Sequence, residues 1–246
     1  MKRILNIVPV PVPAEALDAF AGQIPPGVMH PDFVNDFVAA RAGARVIDSP
    51  YEQTLADAFV LDAGARAQDD GYDAVCVNSM SDSALPALRS RLDIPVMAPA
   101  IGSMLLACML GSRFSVVTMW PRWHGLYTKA AAQQGITGRM ASVRDIGTRP
   151  DAAELLAGKE ESVFPLLERE CRAAIDGDGA DVIILGSTTM HQSHAYLSSV
   201  LEVPVINPGV VAIKLTELLV QCGLTHSRRA YAAPEDPQDD LFAPIG

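Results

Sequence analysis

"DAVCVNSMSDSALPALRSRLDIPVMAPA" (Asp73–Ala100) and "DVIILGSTTMHQSHAYLSSVLEVPVINPG" (Asp181–Gly209) follow the same course from end to end. Each opens on an aspartate, continues as an apolar run and reaches a serine six residues later, Ser79 in one and Ser187 in the other. Each then passes through a helix-like stretch to a second apolar run, centred on "IPV" or "VPV", and to a proline, Pro99 or Pro208. The offset is 108 residues at the serines and 109 at Pro95 and Pro204, so the two stretches differ by a single one-residue slip. A match of that length predicts two similarly folded halves.

Around the pair, "RILNIVPV" (Arg3–Val10) and "RFSVVTM" (Arg113–Met119) are apolar at nearly every position, as are the openings of both repeats. Strands covered on both faces of a parallel sheet read this way. "SPYEQTLADAFVLDAGARAQDDG" (Ser49–Gly71) places Leu55, Phe59, Val60 and Ala63 near helical spacing, with Ser49 as N-cap, Glu52 completing a capping box and Gly71 beyond the end. The alternation of strand and helix predicts an α/β fold with helices covering parallel sheets. In such sheets, ligands bind where a strand's carboxyl end turns into a helix. Two facing halves would then set Ser79 and Ser187 on opposite walls of one cleft.

The 246-residue chain is 49% hydrophobic and carries a formal net charge of -10, with no basic cluster longer than two arginines. Neither a nucleic-acid backbone nor an anionic membrane is the expected partner. The four cysteines have no metal-ligand spacing, and Cys76, Cys108 and Cys222 lie in apolar stretches, as buried thiols of a reducing compartment would. The start, "MKRILNIVPVPVP", is basic and then apolar, but prolines interrupt it and no small-residue cleavage site follows. With no stretch near the roughly 20 apolar residues of a membrane span, the chain is expected to be unprocessed and cytoplasmic. The Pro- and Asp-rich end, residues 231–246, is expected to lie extended on the surface, with Leu241 and Phe242 available to a neighbouring subunit.

"DGYDAV" and "GADVIILGS" before the serine turns, "RILNIVP", "SPYEQTLADA", "IPVMAPA", "GSRFSVVT" and "VPVINPGVVAIKLTELL" occur in an order that resembles the aspartate/glutamate racemase superfamily, its hydantoin racemase branch above all. The resemblance spans about Arg3 to Arg228. It implies two flavodoxin-like parallel-sheet domains related by a pseudo-twofold axis, the second inserted in the first: residues 1–102 with 209–230, and residues 103–208. It also implies a cofactor-independent enzyme, a homo-oligomer, in which two opposed thiols exchange the substrate's α-proton. Here Ser79 and Ser187 stand at those two positions, and "VPVP" (Val8–Pro11), with Pro9 in its midst, replaces the Asn-Pro-Asn-Thr frequent in the family. Thr118 matches a threonine that the family uses on a substrate oxygen.

A serine hydroxyl is a far weaker acid than a thiol and acts as a nucleophile only beside a base. Other groups must therefore carry the proton. His191, four residues after Ser187, would share a helix face with it and is the candidate acid or base, with His194 placed to orient it. Asp82, after Ser79, is the second candidate. Ser79 and Ser187 are expected to hold anionic oxygens at helix amino ends, although Ser and Asp at such positions also serve simply as N-caps. Met80, Ser81, Thr188 and Thr189 complete the two turns. "TMWPRWHGLY" (Thr118–Tyr127) supplies Trp120, Arg122 and His124 as a lid or wall, or else as ordinary aromatic packing. A metal held by His124, His191, His194 and Asp82 would lack a dense ligand motif, and neither metal nor cofactor is expected. The expected ligand is a small carboxylate or cyclic amide, and the expected reaction racemisation or isomerisation. A decarboxylase-like lyase, a hydrolase using Ser187 and His191, and a binding protein that senses a carboxylate without turnover are the alternatives.

Overall fold

The computed structural model describes residues 1–22, 24–150 and 161–241. In chain order the elements are β1 (Lys2–Val8), α1 (Ala14–Gly22), β2 (Phe33–Ala39), α2 (Pro50–Gly64), β3 (Ala74–Val77), α3 (Leu85–Arg91) and β4 (Val96–Met97). Then come α4 (Pro99–Leu110), β5 (Phe114–Thr118), α5 (His124–Gln133), β6 (Met140–Asp145), α6 (Phe164–Asp176), β7 (Val182–Leu185), α7 (His191–Val200), β8 (Val205–Ile206) and α8 (Pro208–Gln221). Two compact units result. Met1–Asn78, Asp82–Ala98 and the chain from Ala212 onward make the first; Ser79–Ser81 and Pro99–Val211 make the second.

Each unit contains one four-stranded, all-parallel sheet, ordered β2-β1-β3-β4 in the first and β6-β5-β7-β8 in the second. The order is the same in both, so the repeat in the sequence is a repeat of topology. In each sheet the chain's direction of travel reverses beside the first strand, between β1 and β3 and between β5 and β7. That is the switch point at which such sheets open a ligand crevice. β3 and β7 are buried at every residue, as expected of strands covered on both faces. The edge strands β2 and β6 are less apolar and were not expected individually. β2 contains Asp36, 2.7 Å from Arg3, and β6 contains Arg144, 2.6 Å from Asp178.

The repeat also shows where its slip falls. Leu92 and Leu201 end α3 and α7 with nearly the same extended backbone, each donating its N–H to the residue four before, Leu88 and Leu197. The extra residue of the second copy therefore lies between the serine turn and that point, and α7 runs ten residues where α3 runs seven.

Ser49 caps α2 as expected, accepting from the Glu52 N–H at 3.3 Å. The helix stops at Gly64 rather than near Gly71, because Ala67 donates to Gly64 in a tighter turn (3.0 Å). Gly64 itself lies where α2 crosses β1 and α3: a Cβ there would meet Ile7 Cδ1 and Leu88 Cδ2 at 2.8 Å. The end of the chain is also more constrained than expected. Arg91 clamps Asp239 through Nε and Nη2 at 2.9 and 2.6 Å, Arg89 donates to the Tyr231 hydroxyl, and Arg228 binds Asp93. These pairs tie residues 228–239 to α3 and the turn after it, while Leu241 is exposed and Phe242 lies outside the described residues. Cys76 and Cys171 are buried, but Cys108 is only partly so and Cys222 is exposed, since it follows α8 where the chain runs out into solvent. Among the described residues, no helix is long and apolar enough to cross a membrane.

Candidate functional site

The two aspartates that open the repeats do the same structural work. Asp73 accepts the Arg3 N–H (2.8 Å) and returns its own N–H to the Arg3 carbonyl (2.8 Å). Asp181 accepts from Ser112 (2.8 Å) and Arg113 (2.9 Å) and donates back to Arg113 (2.9 Å). Each carboxylate locks the start of its strand to the first strand of the sheet. At the other end, Asn78 donates to Ile7 (2.8 Å) and Gly186 to Val117 (2.9 Å). The residue that follows in each case is the serine, delivered at the last rung of the ladder beside the switch point.

There the hydroxyls pair. Ser79 Oγ lies 2.7 Å from Ser81 Oγ and accepts the Ser81 N–H at 3.3 Å. Ser187 Oγ lies 2.9 Å from Thr189 Oγ1 and accepts the Thr189 N–H at 3.3 Å. Both serines are half-buried, and both turns belong to the second unit. Simple N-capping does not describe them: the cap positions are Ala84 for α3 and Met190 for α7, and neither helix receives a side-chain cap. Met80 turns into the core with Ala100, Met104 and Ile206, an apolar anchor between the two serines of its turn. Asp82 and Ala84 follow with φ of 48° and 55°, in the left-handed region that side chains with a Cβ rarely adopt. Asp57, on α2, holds that path by accepting the Ala84 N–H at 2.9 Å; nothing in the sequence around Asp57 signalled this role.

In the second turn α7 begins only at His191, so Ser187 precedes the helix and the expected shared helical face does not form. Ser187 is engaged by Thr189, and His191 by a residue the sequence reading passed over. Asn207, 6% exposed at the end of β8, directs Nδ2 at His191 Nδ1, 2.9 Å away. Its own Oδ1 accepts the N–H groups of Gly209 (3.2 Å) and Val210 (3.3 Å). Since Oδ1 faces two donors, Nδ2 must be the group facing the ring, and His191 Nδ1 must accept. Neutral His191 then carries its proton on Nε2 and presents a donor. The signal was available: an Asn immediately before the proline that opens a helix, within the quoted "VPVINPG".

His194 does not orient His191. Its Nε2 lies 3.1 Å from the Val205 carbonyl, and burial, opposed by that carbonyl and reinforced by His191, lowers its pKa below the ordinary histidine range. The sign of the consequence is definite. Below about pH 6.5 the unfolded chain takes up a proton that folded His194 still refuses, so stability falls as pH drops through that window toward the depressed folded value. Burial likewise lowers His226, against the Leu92 carbonyl. Urea midpoints between pH 5 and 8 should therefore slope upward with pH, and His194→Gln should flatten the slope by removing one of the two contributions.

At the end of β5, Thr118 is fully buried. Tyr127 donates to the Gly186 carbonyl at 2.6 Å, leaving its oxygen to accept from Thr118 Oγ1 at 2.9 Å. The Thr118 hydroxyl proton is thus committed, and this residue's visible role is to brace the strand end that carries Ser187. His124 Nε2 is 2.8 Å from Asp145 Oδ2, yet that nitrogen has no well-directed hydrogen bond; the two are in contact without the alignment of a hydrogen bond. Trp120 meets Trp123 edge-on at 6.2 Å. Pro9, after β1, is buried, and Thr188 is half-buried beside Ser187. Cys76 is mid-strand and buried, and its burial, only partly offset by a hydrogen bond to Thr216, pushes the thiol up to about 12. It offers no thiolate near neutral pH. Among the described residues, no three His, Cys, Asp or Glu side chains converge as a metal site.

Comparison with known proteins places this geometry. The Asp/Glu/Hydantoin racemase family matches residues 16–216. A hydantoin racemase of Pseudomonas sp. (strain NS671) is 31% identical over 199 residues, 80% of this chain and 79% of that one. The solved allantoin racemase from Klebsiella pneumoniae superposes with a TM-score of 0.85 at 28% identity, over 98% of both chains. Arylmalonate decarboxylase, at 18% identity and a TM-score of 0.61 over 90% of this chain and 93% of its own, shares the fold.

Proposed function

The chain belongs to the Asp/Glu/hydantoin racemase family, and on that premise we propose that it is a cofactor-independent racemase or isomerase of a small carbon acid, a cyclic amide or carboxylate, working with Ser79 and Ser187 at the positions where the resemblance implies thiols. The observation that carries this reading is the pair of repeated hydroxyl turns at the strand ends, joined on the second by a histidine fixed as an Nε2–H donor. Deprotonating a carbon next to a carbonyl puts negative charge on oxygen, and what lowers that barrier is an array of pre-aimed donors. Ser79, Ser187 and their partners Ser81 and Thr189 supply hydroxyls; His191 supplies the ring N–H, a neutral imidazole acting as electrophile. Asp82, an acceptor when ionised, is assigned the α-proton, and a solvent-derived proton delivered to the other face of the planar carbon completes the inversion.

A hydrolase in which His191 activates Ser187 has less support, because Ser187 is engaged by Thr189 and His191 by Asn207. The test is proton NMR in D2O with 5-substituted hydantoins, allantoin, aspartate, glutamate and aryl-substituted malonates. Loss of the α-proton signal without a new compound is expected for at least one of them, and Ser187→Ala should slow it by about 10²–10³-fold, as loss of one oxyanion donor does. New product peaks would make the protein a lyase or hydrolase instead, and full activity in Ser187→Ala would remove the hydroxyl from the mechanism.

A further inference from the structure

Among the described residues, three buried side-chain polar atoms have no hydrogen-bond partner in the protein: Gln53 Nε2, Ser103 Oγ and His124 Nε2. His124 is already in contact with Asp145, and Ser103 shares the α4 stripe of Ala100, Met104 and Ala107, which packs in an apolar core. Gln53 is placed differently. It lies in the first turn of α2, its N–H donating to the Ser49 carbonyl at 2.9 Å, and with Ala56, Asp57, Val60 and Gly64 it falls on one stripe of that helix, the stripe that carries the buried residues. Gly64 approaches β1 at Ile7, one residue before the carboxyl end of that strand. A crossover helix between parallel strands runs back against them, so the earlier residues of α2 lie farther out. Gln53, eleven residues before Gly64, is about 16 Å beyond it along the helix axis. The first turns of α2 thus overhang the carboxyl end of the first sheet, the end at which Ser79 and Asp82 follow β3.

We propose that Gln53 is a substrate-binding residue whose amide donates to a carbonyl of a cyclic amide, the carbonyl remote from the reacting carbon. The proposal rests on the reading of this strand end as the reaction site of a carbon-acid racemase. Asp57 spends its Oδ1 on the Ala84 N–H at 2.9 Å, whereas Gln53, one helical turn farther out, holds a buried donor with no acceptor. Such a donor is destabilising in the free protein, and a ligand that brings the acceptor relieves it. Nothing else after β1 competes for that role, since the side chains of Val8–Pro11 contain no donor. In a hydantoin ring the carbonyl beside the reacting carbon gathers the negative charge and goes to the hydroxyls and the imidazole. The second carbonyl, between the two ring nitrogens, takes no part in the enolate and is left for a neutral donor. A carboxylate fits this position less well: Asp57 is the i+4 neighbour of Gln53, with Cβ atoms about 5–6 Å apart, and a like charge there repels an anionic group.

Gln53→Met keeps the length and helix propensity of the side chain but has no donor, and it separates binding from structure. Its melting temperature should equal or exceed that of the unmutated protein, because an unsatisfied buried donor is gone. In calorimetric titrations it should bind 5-methylhydantoin about tenfold more weakly, the effect of one neutral hydrogen bond. The companion probe is 5-methyl-2-thiohydantoin, which has a weakly accepting sulfur in place of the remote carbonyl oxygen. The unmutated protein should prefer the oxygen compound, and that preference should fall toward one in Gln53→Met and in Gln53→Glu. A lower melting temperature with the preference intact would make the amide a structural group. Undiminished affinity in Gln53→Met, no saturable binding of 5-methylhydantoin by the unmutated protein, or tighter binding of aspartate than of the ring would likewise overturn the assignment. The same probe in D2O tests the reaction separately. Binding that depends on Gln53 without α-proton exchange would sink the racemase reading and leave the amide contact standing; exchange with affinity indifferent to Gln53 would do the reverse.

Discussion

Gly186→Ala should lower the melting temperature by roughly 5–10 °C, on the order of 2–3 kcal/mol for a chain of this size, and abolish turnover. A Cβ at this position would lie 2.4 Å from both Cβ and Oγ1 of Thr118 and 2.7 Å from the Tyr127 hydroxyl. None of the three can withdraw: Thr118 is β-branched and fully buried in β5, and Tyr127 is fully buried and bonded to the Gly186 carbonyl. The strain must then move the strand end, and with it Ser187. The control is Gly125→Ala on α5, where a Cβ meets nothing within 4 Å; replacing a helical glycine with alanine there should be neutral or stabilise by about 0.5–1 kcal/mol. Melts and exchange rates of the two variants side by side check the claim, and equal behaviour would show that the tight approach at Gly186 does not matter.

His191→Ala should slow α-proton exchange by about 10²–10³-fold, the loss typical of removing one donor from an oxyanion site, with little change in thermal stability because the ring is only half-buried. His191→Gln should recover part of the rate. Its side-chain carbonyl can accept from Asn207 as Nδ1 does, leaving the amide N–H to point where Nε2–H points now. A histidine that was needed as a base would show no such rescue, since an amide cannot take a proton. Asn207→Leu completes the argument: with the ring released to either tautomer, the rate should fall mainly in kcat while KM changes little.

Much of this was legible in the sequence where apolar patterning is strong. The all-apolar runs at Asp73 and Asp181 announced two central parallel strands, and their echo announced two units. The edge strands β2 and β6 were not legible, because an edge strand faces water on one side and carries charges such as Asp36 and Arg144 that blur its pattern. At the candidate site, the serine turns, His191 and Asp82 could be proposed from residue type and spacing. What spacing could not give was orientation. That Ser187 lies ahead of α7, that His194 faces a backbone carbonyl, and that Asn207 fixes the His191 ring all depend on contacts between residues distant in sequence. Asp57 and Tyr127 are the clearest cases: each acts on a strand end or turn from another element, with no local motif to betray it.

The displaced residue in the second copy has a consequence for kinetics. Because the slip falls between the serine turn and the end of the following helix, the later offset of 109 makes Ala98 the counterpart of Asn207, while Asp82 follows the first serine turn and His191 the second. A duplicated scaffold thus carries a carboxylate after one turn and an imidazole with its amide anchor after the other. Mirror-image substrates have equal free energy, so the equilibrium constant for their interconversion is one and the two values of kcat/KM must agree. Nothing requires the separate constants to agree. With unlike groups beside the two turns, the proposed chemistry gives one antipode the higher kcat together with the higher KM, a handedness of saturation within an enzyme that has no thermodynamic handedness.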